Sequence, residues 1–150
     1  MAEIKNKLEE LRKKHDLPGY DELAKEFEID SIEKTDFLLR EIRKKAHNRI
    51  KYFCGLLEEV LQPDTNISAI YESRVFGEKE KKDVFDAYRK FMALNREGEE
   101  AAINSDDAAF IKKVYKEIGV LKADLLPIIA KMREAWQKDT PDDEKLGYFG

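Results

Sequence analysis

The densest group of side chains able to bind anions or transfer protons lies between Arg40 and Lys51. This stretch holds six lysine or arginine residues and one acid, so its local charge is +5 in a chain of net charge −4. On a helix of about 100° per residue, one face opposite the apolar residues collects four of its side chains: Arg40, Lys44, His47 and Lys51. Such a row can contact phosphates or an acidic partner. The alternative is a solvated face balanced by acids of neighbouring helices. No row of exposed aromatic residues is evident beside it, which argues against binding of single strands by base stacking.

A second group of polar side chains lies on the apolar side of the predicted helices. Arg49 falls close to the centre of the apolar face of its helix, and Asn95 and Glu99 interrupt the apolar stripe of another helix. A buried arginine requires a partner, because desolvating an unpaired guanidinium is costly. We therefore predict an ion pair between Arg49 and Glu99, completed by Asn95 and Tyr88. This buried polar network would fix the register of the helices or form a small polar ligand site inside the bundle.

The spacing of Arg40 and His47 resembles the motif of the HEPN superfamily, in which four to six residues separate an arginine from a histidine. Members of that superfamily are all-α proteins of similar length whose dimers often cleave RNA. The resemblance implies that Arg40 binds phosphate, that His47 acts as the acid–base group, and that the last helix forms the dimer surface. This sequence departs from the family pattern at Glu41, where a small polar residue is favoured.

Other classes of catalytic or metal site are not matched by the residues and spacings of this sequence. Cys54 lies seven positions after His47, but no third group is evident to orient it, so we interpret it as a buried, unreactive thiol. Neither His15 nor His47 has a glutamate three positions earlier, which excludes a carboxylate-bridged two-metal centre. The segment beginning at Asp64 lacks the glycine and the final glutamate of a calcium loop. We therefore expect no metal, no cofactor and no catalytic residue other than the alternative pair Arg40 and His47.

Helices must position these side chains, because apolar residues recur at helical spacing and no stretch alternates as a strand does. Proline, glycine and small polar residues mark the ends of the helices. The pattern predicts helices over residues 3–14, 21–28, 36–61 and 78–103, a short helix around residues 67–71, and a last helix over residues 107–138. The expected fold class is therefore all-α, a helical bundle of three long helices plus two or three short ones.

The last predicted helix carries a heptad seam, two rows of apolar residues each repeating every seven positions: Ile111, Ile118, Leu125 and Met132, and Val114, Leu121, Ile128 and Ala135. The seam is either the centre of the bundle's own core or a surface that recruits a protein partner or a second copy through residues 107–138. Trp136 would anchor such a partner. Pro127 lies within the helix and predicts a kink.

Length and composition predict a single helical domain over residues 1–138, followed by an acidic mobile tail over residues 139–150. The tail carries four acids and one lysine. No apolar run approaches the ~20 residues that cross a bilayer, and the first residues lack the apolar stretch of a signal peptide. A single cysteine excludes an intramolecular disulfide. We therefore expect a cytoplasmic protein that makes no membrane contact.

Three segments resemble those of uncharacterised archaeal all-helical proteins of unknown function: LREIR at 39–43, LEEVLQP at 57–63 and YRKFMAL at 88–94. The likeness covers most of the chain but lies in packing motifs, so it implies no activity, cofactor or catalytic residue. The sequence therefore predicts a non-enzymatic helical protein-interaction module, or a homodimer. The alternatives are a nucleic-acid-associated protein using the basic helix face and a HEPN-like ribonuclease.

Overall fold

The computed structural model describes residues 2–138, which form six α-helices and one short 3-10 turn and contain no strand. The α-helices are α1 (Ala2–His15), α2 (Tyr20–Phe27), α3 (Leu38–Leu61), α4 (Ile67–Arg74), α5 (Glu78–Asn104) and α6 (Asp107–Trp136). Helices α3, α5 and α6 are 24, 27 and 30 residues long, and the other three are shorter. The predicted fold class, an all-α helical bundle with three long helices, is confirmed.

Local backbone geometry explains where several of the helices end. Asp16, Glu28 and Ser105 each follow the last residue of a helix and have a φ near +60°. A left-handed residue at this position turns the chain away from the helix axis. At the start of α4, the side chain of Asn66 accepts a hydrogen bond from the Ser68 backbone N–H at 2.9 Å, which satisfies one free donor of the first turn.

The described residues group into two compact units, and each of the three long helices contributes residues to both. The first unit contains residues 2–52 and 92–119, and the second contains residues 53–91 and 120–138. The sequence predicts one domain over residues 1–138, and the structure groups the described residues into these two units. The predicted tail, residues 139–150, lies outside the described residues.

The second unit is held together by aromatic packing and by two buried side-chain hydroxyls. The rings of Phe53 and Phe91 lie 5.4 Å apart. Tyr71 Oη donates to the Ala135 carbonyl at 2.8 Å, and Ser73 Oγ donates to a backbone carbonyl of α3 at 2.7 Å. Both donors lie on α4, so these bonds fasten this short helix to the ends of its longer neighbours in the unit.

The heptad seam of α6 is occupied by the chain itself. Seven of its eight residues are buried and Ile128 is half-buried, so of the two interpretations only the core of the chain's own bundle fits these positions. A partner recruited through helix 107–138 would have to bind some other face of α6. Trp136 is 51% exposed, but its ring packs 4.4 Å from that of Tyr71 and its Nε1 donates to Glu72 at 2.9 Å.

Helix α6 continues through Pro127 without interruption. Among the described helices, no stretch combines the length and the hydropathy that crossing a bilayer requires.

Candidate functional site

His47 on α3 is buried in the first unit, contrary to its predicted place on the basic face. Its side chain is 6% exposed. Its Nε2 lies 2.8 Å from Asn95 Oδ1 and 3.0 Å from the Asn95 backbone carbonyl on α5. A carbonyl oxygen can only accept, so His47 Nε2 carries the hydrogen and donates it. The imidazole therefore serves as a hydrogen-bonded link from α3 to α5.

Two further contacts confine the His47 ring. The Phe110 ring of α6 meets it edge to face at 5.8 Å between centroids. On α5, Gly98 leaves the space that the ring occupies: a Cβ added at Gly98 would lie 2.6 Å from His47 Cδ2 and 2.7 Å from Nε2. A glycine inside a long helix lowers its stability, and here it permits the close approach of the imidazole.

The buried arginine of α3 is Arg43. Its Nε donates to Asp107 Oδ1 at 2.7 Å, and the two side chains are 8% and 18% exposed. Asp107 is the first residue of α6, where the partial positive charge of the helix N-terminus also stabilises a carboxylate. Arg43 and His47 are one helical turn apart, so together they form the polar flank of the buried side of α3 in this unit.

This arrangement corrects the buried polar network predicted around Arg49. Asn95 is half-buried and does take part in a polar contact, but its partner is the buried His47. Glu99 is half-buried and accepts from Arg96 of its own helix at 2.7 Å. Arg49 is also half-buried and lines a surface groove. The fourth predicted member, Tyr88, is half-buried in the second unit, where its ring lies 6.4 Å from that of Phe85.

The structure differs from this prediction because the buried arc of α3 is wider than its apolar arc. In the first unit α3 meets Asn95 of α5 on one side and both Asp107 and Phe110 of α6 on another. Two packed neighbours bury a wider arc than the apolar residues mark, and the additional positions are occupied by Arg43 and His47. The signal that could have revealed this was Gly98, a small residue within an otherwise continuous helical pattern.

The exposed side of α3, with the residue that precedes the helix, carries six residues that we call the basic–aromatic face: Phe37, Arg40, Lys44, Asn48, Lys51 and Tyr52. At 100° per residue the five that lie in α3 fall within an arc of about 120°, along about 18 Å of helix. Of the predicted basic face, Arg40, Lys44 and Lys51 are therefore exposed as expected, and only His47 is not. Phe37 and Tyr52, which the sequence reading missed, are 69% and 58% exposed.

Phe37 combines exposure with an unfavourable backbone conformation. Its φ is +54°, and its carbonyl accepts the first hydrogen bond of α3, from the Glu41 N–H at 3.1 Å. Unlike the three left-handed residues that end helices, it precedes a helix, where the capping residue is normally extended. The Arg40 guanidinium lies over its ring, 4.6 Å from the centroid, a favourable cation–π distance.

A groove of about 360 Å³ adjoins the other end of the face. Its lining combines aromatic, amide, basic and acidic side chains: Phe27, Glu28, Lys45, Asn48, Arg49 and Tyr52. The groove therefore offers hydrogen-bond donors and acceptors beside an exposed aromatic ring.

The arrangement of Arg40 and His47 differs from what the HEPN resemblance implies. Arg40 is exposed, but His47 is buried and its Nε2 is directed at Asn95 within the unit. An acid–base group must come within hydrogen-bond reach of the reacting atoms. The burial of His47 therefore leaves that interpretation without an accessible acid–base group.

Cys54 is buried, as predicted. Burial, with a smaller contribution from the charge of Glu58, raises the pKa of the Cys54 thiol from 9.0 to about 11. The thiol is therefore protonated at neutral pH, which makes it a poor nucleophile. Within residues 2–138, no three His, Cys, Asp or Glu side chains are grouped so that they could hold a metal ion.

Comparisons of the chain with protein-family models, with curated proteins and with solved structures find no match. Function is therefore inferred from the residues and their geometry.

Proposed function

We propose that the protein is a non-enzymatic, nucleic-acid-associated protein that binds through the basic–aromatic face of α3. The observation that carries this proposal is that two exposed aromatic residues, Phe37 and Tyr52, flank the exposed row of Arg40, Lys44 and Lys51, with Phe37 in contact with Arg40. Basic side chains attract a phosphate backbone, and aromatic rings offer surfaces on which bases can stack. Neither the basic nor the aromatic side chains of this face belong to the buried core of the first unit.

The charge of this face supports an anionic partner. Arg40, Lys44 and Lys51 supply three positive charges, of which Lys44 is paired with Glu41 at 3.3 Å on the surface. An exposed pair of this kind is weak, so phosphate can compete for the lysine. Beyond Tyr52 the exposed positions of α3 include Glu58 and Glu59, so the positive region ends there.

The protein-interaction module has less support from the heptad seam of α6. Seven of the eight seam residues are buried within the chain and Ile128 is half-buried, so little of the seam is open to a partner or a second copy. An exposed basic and aromatic surface in a net acidic protein is better matched by a polyanion than by an apolar helix.

The test is fluorescence anisotropy with labelled single-stranded and duplex oligonucleotides across a range of salt concentrations. We expect affinity to fall steeply with salt, because each contacted phosphate releases counterions. The variant Lys44→Glu/Lys51→Glu should lose binding. The matched control is Lys112→Glu/Lys116→Glu, which makes the same charge change at two exposed positions of α6 in the same unit and should retain most of the affinity.

Two outcomes would contradict the proposal. One is the absence of binding to either oligonucleotide at low salt. The other is an equal loss of affinity in both charge-reversal variants, which would mean that net charge, and not the α3 face, governs binding.

A further inference from the structure

We infer that the preferred ligand is single-stranded nucleic acid, with Phe37 and Tyr52 as two stacking positions for unpaired bases at opposite ends of the basic–aromatic face. This inference rests on the proposed function and makes it more specific. It assigns separate tasks to the two kinds of side chain: lysine and arginine contact phosphates, and the rings contact bases.

The environment of Phe37 is the first support. Most of its ring is exposed, so it contributes little to the core. Its backbone occupies the left-handed region, which is unfavourable for a bulky side chain. Strain of this kind concentrates at binding and active sites, where the surroundings hold an unfavourable conformer in place. The Arg40 guanidinium lies over one face of the ring, so a base would stack on the opposite face, with this cation close by.

Tyr52 and the adjoining groove are the second support. Tyr52 is 58% exposed and lines the groove of about 360 Å³ together with Asn48 and Lys45. A base stacked on the tyrosine would have its polar edge beside the amide of Asn48 and the ammonium of Lys45, which match carbonyl and ring-nitrogen acceptors. Glu28, also in the groove, offers an acceptor for an exocyclic amine.

The geometry of the face favours a single strand over a duplex. Phe37 precedes the first residue of α3 and Tyr52 lies within the helix, and Lys44 and Lys51 lie between them in the chain. A duplex buries its base faces in the stack, so it could use the positive charges but not the rings. A single strand presents both its backbone and its base faces.

The experiment compares four aromatic variants by anisotropy, with an oligo-dT probe of about 15 nucleotides, within the range that single-strand binders cover, and with a duplex of equal length. The variants are Phe37→Ala, Tyr52→Ala, the double variant and Tyr52→Phe. The control is Phe85→Ala, which removes a 49% exposed phenylalanine from the second unit. Circular dichroism of each variant checks that the helices are retained.

We expect wild type to prefer oligo-dT over duplex. Each alanine variant should lose about tenfold or more of its oligo-dT affinity, the range measured for one stacked base. Duplex affinity and the salt dependence should stay near wild type, because no charge is removed. Tyr52→Phe and Phe85→Ala should bind as wild type does.

Failure of this inference is distinguishable from failure of the proposed function. If the alanine variants lose no oligo-dT affinity while Lys44→Glu/Lys51→Glu still abolishes binding, the face contacts only phosphates and the stacking assignment is overturned. If poly-glutamate competes as well as oligo-dT, the face is a site for acidic protein segments and both assignments are overturned. If no polyanion binds, the proposed function itself fails.

Discussion

At the residue scale, Gly98 is a position where the packing leaves no space for a larger side chain. A Cβ there would approach His47 Cδ2 to 2.6 Å, and the imidazole is held on one side by Asn95 and on the other by Phe110. If the His47 ring moved away from Gly98, it would lose its hydrogen bonds to Asn95. The packing of the first unit therefore depends on the absence of a side chain at Gly98.

We predict that Gly98→Ala lowers the free energy of unfolding by about 1–3 kcal/mol, the usual cost of overpacking. The matched control is Gly119→Ala on α6, where an added Cβ meets nothing within 4 Å. That variant should gain up to about 1 kcal/mol, since alanine is the better helix former. Urea denaturation followed by circular dichroism measures both. A gain in both variants would show that the His47 ring is free to move aside.

The Arg43–Asp107 pair is the second residue-scale feature with a measurable consequence. Removing one member of a buried pair leaves the other charge desolvated. We predict that Asp107→Ala lowers the free energy of unfolding by about 3–5 kcal/mol, and that Arg43→Met/Asp107→Ala loses less than the sum of the single variants.

The exposed pair Lys44–Glu41 on the same helix is the reference for this double-mutant cycle. Its coupling energy should be within about 0.2–1 kcal/mol. Equal coupling energies for the two pairs would contradict the assignment of Arg43 as the buried, paired arginine.

At the element scale, the start of α3 departs from the sequence prediction for a physical reason. The pattern predicts a helix from residue 36, but α3 begins at Leu38. The left-handed φ of Phe37 takes the preceding residues out of the helix. Hydrophobic periodicity could not predict this later start, because it depends on the spacing of side chains and not on the φ of one residue.

We predict that Phe37→Asn raises the free energy of unfolding by about 0.5–1 kcal/mol, because asparagine tolerates the left-handed region better than phenylalanine does. The same variant should lose single-strand affinity. The control is Ile103→Asn, which replaces an 82% exposed apolar residue of α5 and should change stability by no more than about 0.5 kcal/mol. Thermal and urea unfolding measure both variants. A loss of stability at Phe37 would mean that its ring contributes to packing.

At the scale of the whole molecule, a net charge of −4 coexists with a local region of opposite sign. At physiological ionic strength the Debye length is about 8 Å, so acids further than this from the face are largely screened. Local charge can therefore decide which molecules bind, even though the chain as a whole is acidic. The same screening makes the proposed binding sensitive to salt.

Most of the architecture could be read from the sequence, and much of the candidate site could not. The ends of a helix depend on its apolar periodicity and on end signals only a few residues away in the chain. The ends of α5 and α6 were therefore predicted to within two residues. Arg40, Lys44 and Lys51 were placed correctly because long charged side chains remain in water unless a partner is available. Phe37 and Tyr52 were not identified because periodicity does not measure exposure, and for Phe37 because its position depends on a left-handed backbone.

The sequence by itself determined the helices, because their stripes of apolar residues and their end signals are local properties of the chain. Tertiary structure alone decided which polar groups of α3 are enclosed: Arg43 and His47 are buried, and Arg49 lies at the groove. The physical reason is that the width of a buried arc depends on how many helices pack against it and how closely they approach. That information is carried by distant residues, Gly98 and Asp107 among them, and not by the periodicity of the helix itself.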